Sequence, residues 1–159
     1  EQGIGTHKGE ATLFVSRRTP TVNSVSQEWI ETVKQDDSFK HVRWDSELQI
    51  SLITLEHLIE RFGAPRFCKI DVEGLEDQVL AGLSQPLQAL SFEFTTIQRD
   101  IALAALARCA ALGDYHFNAA LGESQRLAHL RWLDARALRS WLDALPDSAN
   151  SGDIYAVLS

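Results

Sequence analysis

The chain of 159 residues has no Met, two Cys and four Pro, and positive charge is in deficit: 15 Lys and Arg stand against 22 Asp and Glu, a net charge of −7. Each shortage removes a class of explanation. Cys68 and Cys109 lack the number and spacing of a disulfide framework or a zinc site, so a reducing, cytoplasmic setting is expected. A surface that tracks nucleic acid needs clustered basic residues interleaved with aromatics, and neither pattern is present, so nucleic acid is not an expected partner. No apolar run approaches the roughly 20 residues that cross a bilayer, and no membrane partner is expected. The missing Met, with Glu1 opening an ordered-looking segment, leads us to expect the carboxyl portion of a longer or processed protein.

What remains is 45% hydrophobic and 23% charged, enough to close one core, and residues 1–159 read as a single domain. Residues 10–15 alternate as a strand. Ser24 and Gln27 have capping-box spacing before a helix that presents Trp29, Ile30 and Val33. Residues 48–53 suit a strand, and Thr54 caps a helix with Leu55, Leu58, Ile59 and Phe62 on one face, stopped by Gly63. The near-continuous apolar run from Phe67 to Val72 predicts a strand covered on both faces. A helix around Leu75–Leu83, a strand over 89–94, a helix over 100–112, a strand over 115–121, a helix capped by Asp134 and a last strand over 153–158 follow. Alternation of this kind defines an α/β fold with a mostly parallel sheet. Gly3 to Gly9 reads as a turn, and Trp29, Trp44, Trp132 and Trp141 read as core.

Chemistry concentrates in Lys69-Ile70-Asp71-Val72-Glu73-Gly74. Strand alternation sends Lys69, Asp71 and Glu73 to one face, where charges are expensive to bury unless paired or aimed at a crevice. Asp71 and Glu73 end the strand, the edge where open α/β sheets bind ligands. Glu93 ends the next strand in the same way. Crowded carboxylates raise one another's pKa, which makes a general base, or they hold a cation. The competing reading is that Lys69 neutralises Asp71 while Glu73 and Glu76 sit at a helix N-terminus. The five His residues show no paired ligand spacing, and no metal is implied.

The runs Ile53-Thr54-Leu55-Glu56-His57-Leu58-Ile59, Gly63-Ala64-Pro65-Arg66-Phe67-Cys68-Lys69-Ile70-Asp71-Val72-Glu73-Gly74 and Val79-Leu80-Ala81-Gly82-Leu83 resemble the FkbM-type methyltransferases. The likeness continues through Leu90–Phe94, Tyr115–Asn118 and Gly152–Ala156, and Ser24–Trp29 resembles a Ser-rich stretch before a Trp in one branch of that family. The resemblance implies a Rossmann-like class I methyltransferase sheet with an antiparallel last strand, its N-terminal strands and Gly-rich donor loop lying upstream of this chain. It implies S-adenosylmethionine as methyl donor and a hydroxyl of a small molecule or sugar as acceptor. Asp71 and Glu73 are then the expected catalytic residues, and Asp71 and Gly74 the expected donor contacts. Glu93, Asn118, Ser24 and Trp29 are expected on the acceptor side. Glu56 stands where the family has Asp. An open edge on the Phe67–Val72 strand would favour a homo-oligomer. The alternative from another class is a non-catalytic Rossmann-like remnant serving binding or oligomerisation.

Overall fold

Side-chain caps start three of the helices. The chain runs β1 (Gln2–Ile4), β2 (Gly9–Val15), α1 (Gln27–Val33), β3 (Ser46–Ile53), α2 (Leu55–Phe62), β4 (Cys68–Ile70), α3 (Glu76–Ala81), β5 (Ala89–Thr95), α4 (Arg99–Leu112), β6 (Tyr115–Leu121), α5 (Ala135–Ala144) and β7 (Ser151–Leu158). The computed structural model describes residues 2–122, 124 and 126–159. Thr54 and Asp134 accept the backbone N–H groups of His57 and Ala137, as their spacing predicts. At α1 the cap is Ser26, which accepts from Trp29 N at 3.1 Å, and not Ser24. Gly63, at φ 85°, ends α2.

The strands form two mixed sheets. In the first, ordered β1-β3-β2, β1 runs parallel and β2 antiparallel to β3. Gly3 to Gly9 is therefore not simply a turn, because Gln2–Ile4 pairs with Ser51–Ile53. In the second sheet, ordered β4-β5-β7-β6, β4 and β5 are parallel and β7 is antiparallel to both its neighbours. The expected antiparallel last strand is present, but the expectation of a mostly parallel sheet is corrected to a mixed one. The reversal follows from where the chain is delivered: Thr96 N, just past the end of β5, donates to Asn150 O at 2.7 Å, and a strand starting there must run back.

Phe92, Phe117, Leu80, Leu90, Leu138 and Ile154 are fully buried in the main core. The small residues Ala102, Ala105 and Cys109 let α4 lie close to α3 and β5. A smaller cluster of Trp29, Ile30 and Val33 packs with Phe14, Phe39 and Trp44. Trp132, expected in the core, is 40% exposed, because its segment runs outside β6. Among the described residues no helix is long and apolar enough to cross a membrane.

Candidate active site

The site is built on the turn that follows β4. The strand lasts only from Cys68 to Ile70, pairs only with β5 among the described residues, and leaves Phe67 half exposed. The expected covered strand over Phe67–Val72 is corrected accordingly. Beyond the end of β4, Glu73 and Gly74 both adopt positive φ, 53° and 92°, so the extended alternation does not continue through Glu73. Strand alternation thus fails to carry Glu73 onto the face of Lys69, but the turn achieves the convergence by another route. Carboxylate oxygens of Asp71, Glu73 and Glu93 lie within 4.8 Å of one another. Glu93 reaches the cluster from β5, the parallel neighbour of β4.

The turn is held internally by Glu76. Its carboxylate is buried and accepts from Val72 N at 3.2 Å and Gly74 N at 3.4 Å. Sequence reasoning gave Glu76 only a helix-terminus role; the available signal was an acid two residues beyond a Gly that must turn. Lys69 lies 3.3 Å from Asp71 and 3.5 Å from Asp153, so the neutralising reading holds for Asp71. Burial works hardest against the Lys69 ammonium, yet Asp153 and Asp71 together hold its pKa above the ordinary range.

Among the described residues neither Glu73 nor Glu93 forms an ion pair, the Lys69 charge only partly offsets the repulsion at Glu93, and both face a cleft together with Trp29, Glu76, Phe94, Thr95 and Gln98. Burial first, then the charges of Glu93, Asp71 and Glu76, push the Glu73 carboxyl up to about 8. Burial first, then Asp71, Glu76 and Asp153, push Glu93 up to about 7. These neighbouring acids repel each other's charged form, and a shared proton or a cation would relieve them. Protonation is linked to folding, and the sign is fixed. Both acids bind protons more tightly folded than unfolded, so their contribution to stability is complete below the ordinary value of 4.5 and is lost as pH rises through about 7 and 8. The thermal midpoint is expected to fall between pH 5 and pH 8, and Glu73→Gln to flatten that fall, in melts recorded across this range.

The structure brings Asp71, Glu73, Gly74 and Glu93 to one place. Ser24 and Trp29 adjoin them but are 1% and 2% exposed. Ser24 Oγ donates to Glu73 O at 2.8 Å, and the Trp29 ring covers Gly74. Asn118 lies elsewhere and is occupied: its amide bonds His129 O at 2.9 Å and His129 N at 3.1 Å, pinning the segment beyond β6. The cleft at Glu73 and Glu93 has about 10 Å³ open to the centre of a water-sized sphere, room for about one water. On the other side of the turn, a cavity of about 180 Å³ lies among Gly3, Ile4, Asn23, Ser24, Asp71 and Leu75.

A model of the methyltransferase FkbM domain matches residues 1–135. The chain therefore belongs to the FkbM methyltransferase family, and the carboxylate turn lies inside the matched region. No curated protein matches the chain.

Proposed function

We propose that this protein transfers a methyl group from S-adenosylmethionine to a hydroxyl of a small molecule or sugar, with Glu73 and Glu93 handling the acceptor's proton. The observation that carries this reading is the meeting of Asp71, Glu73 and Glu93 at the carboxyl ends of two adjacent parallel strands, beside a cleft. The order β4-β5-β7-β6, with β7 reversed, supports reading this sheet as the closing half of a Rossmann-like class I methyltransferase sheet.

The donor supplies a methyl group on a cationic sulfur. The acidic turn fits that charge, while neither of the two cavities that adjoin the turn reaches the roughly 300 Å³ at which small-molecule pockets begin. The residues here fit its charge and not its bulk, and we assign this chain only the proton chemistry. A general base works best with a pKa near the operating pH. Glu93 at about 7 and Glu73 at about 8 meet that condition, because a carboxyl tuned so high holds a proton once taken and still releases it near neutrality. Asp71, paired with Lys69, orients the group and supplies negative charge. Asp71→Asn is expected to lower turnover several-fold while changing stability by about 1 kcal/mol or less, since exposed ion pairs contribute little. Rate assays and denaturant melts on one preparation compare the two losses; equal losses would make Asp71 a structural residue. Calorimetry with S-adenosylhomocysteine on the protein from its full reading frame tests the function. Saturable heat is expected, and none at high ligand concentration would favour the non-catalytic reading.

A further inference from the structure

The turn that carries Glu73 is strained, and strain of this kind persists only where surrounding structure over-determines it. A non-glycine residue at φ 53° is followed directly by Gly74 at φ 92°. Glu76 fastens the turn through Val72 N and Gly74 N, but neither bond touches the Glu73 carbonyl. That carbonyl accepts from Ser24 Oγ at 2.8 Å, across 49 residues of chain. The same hydroxyl accepts from Ser26 N at 2.9 Å, and Ser24 is itself anchored to β2 by Phe14 N to Ser24 O at 2.9 Å and Ser24 N to Phe14 O at 3.3 Å. Trp29 closes the other side: a Cβ added at Gly74 would stand 2.6 Å from its Cγ. The indole is held edge-on by Phe39 and Trp44, with ring centroids 5.9 and 6.2 Å away.

We infer that Ser24 and Trp29 are positioning residues, which hold the Glu73 backbone in its left-handed conformation and so keep its carboxyl against Glu93. The inference rests on the reading of Glu73 and Glu93 as the proton-handling pair. It gives both residues a place behind the turn in place of the acceptor contact the sequence suggested, because the Ser24 hydroxyl is engaged by Glu73 O and Ser26 N and the Trp29 ring lies against Gly74. Without the Ser24 bond the Glu73 carbonyl is free to rotate, and relaxation of the turn swings the carboxyl toward water. The charged groups facing that carboxyl are Asp71 and Glu76 on the turn and the first turn of α3, and Glu93 on β5, with Lys69 and Asp153 behind Asp71.

The test follows the Glu73 side-chain carboxyl by carbon-13 NMR against pH, with thermal melts on the same samples. Ser24→Ala is expected to lower the Glu73 midpoint by about one pH unit or more, as water regains access to the carboxylate. Ser24→Thr, which keeps the hydroxyl, is expected to restore it. Thr54→Ala removes the α2 cap, which bonds His57 N and touches neither Ser24 nor Trp29, so it is expected to lower the melting temperature and leave the midpoint in place. Should Ser24→Ala not fold, Trp29→Phe carries the comparison with the same expected direction. An unmoved Glu73 midpoint in the folded variant, or an equal shift in Thr54→Ala, overturns the inference. These titrations need neither donor nor acceptor. A wild-type Glu73 that titrates in the ordinary carboxyl range sinks the underlying reading instead, so the two failures are distinct.

Discussion

Glu73→Gln is expected to slow methyl transfer by about 100-fold to 10,000-fold, the range that general acid–base groups contribute. The replacement keeps the size of the side chain and removes its ability to take a proton. Glu73 has burial and three acidic neighbours working against its charge, so the neutral amide also relieves repulsion. The variant should therefore be at least as stable as the parent near pH 8 and lose rate all the same. Rates measured from pH 5 to 9, alongside melts, check this. Loss of stability in proportion to rate would show that Glu73 holds the fold together and does not act in the reaction.

Gly74→Ala has the largest expected effect on stability. A residue with a Cβ at φ 92° is strained wherever it occurs, by about 1–3 kcal/mol. Here the added carbon also meets Trp29, whose Cβ and Cγ stand 2.7 and 2.6 Å away. That ring cannot retreat, because it is 2% exposed and packed against Phe39 and Trp44. Forcing extra carbon into such a site costs about 1–3 kcal/mol more. A combined loss of about 3 kcal/mol or more is expected in denaturant unfolding, with the carboxyl cluster dispersed in whatever folded fraction remains. Gly63→Ala is the useful contrast. It shares a positive φ, 85°, but nothing lies within 4 Å of the added carbon, so only the backbone part of the loss should appear.

Much of the architecture was legible because it is written in short-range signals. Thr54 and Gly63 bracket α2, Asp134 starts α5, and the alternating apolar residues of Tyr115–Leu121 mark β6. The parts that were not legible depend on partners distant in sequence. Two serines precede α1, and periodicity could not say that Ser26 caps it while Ser24 reaches across to Glu73. β1 is three residues long and acquires strand character only from β3. The apolar run at Phe67–Val72 looked like a full strand because hydrophobicity does not report the positive φ of a glutamate. The candidate site was legible in its members and not in its geometry. Asp71, Glu73 and Glu93 were identifiable from their places at strand ends, whereas the Lys69–Asp153 pairing needed β7 to be laid beside β5. Asn118 looked available for an acceptor, but only the fold shows its amide committed to the backbone at His129.

The account stands on two half-buried acids whose pKa values are raised close to physiological pH, by burial first and by their acidic neighbours second. Carbon-13 titration of the Glu73 and Glu93 carboxyls in the wild-type protein tests this most directly. Paired transitions near pH 8 and pH 7 are the expected result, and Asp71→Asn should lower both. Two independent transitions at or below the ordinary value of 4.5 would contradict it.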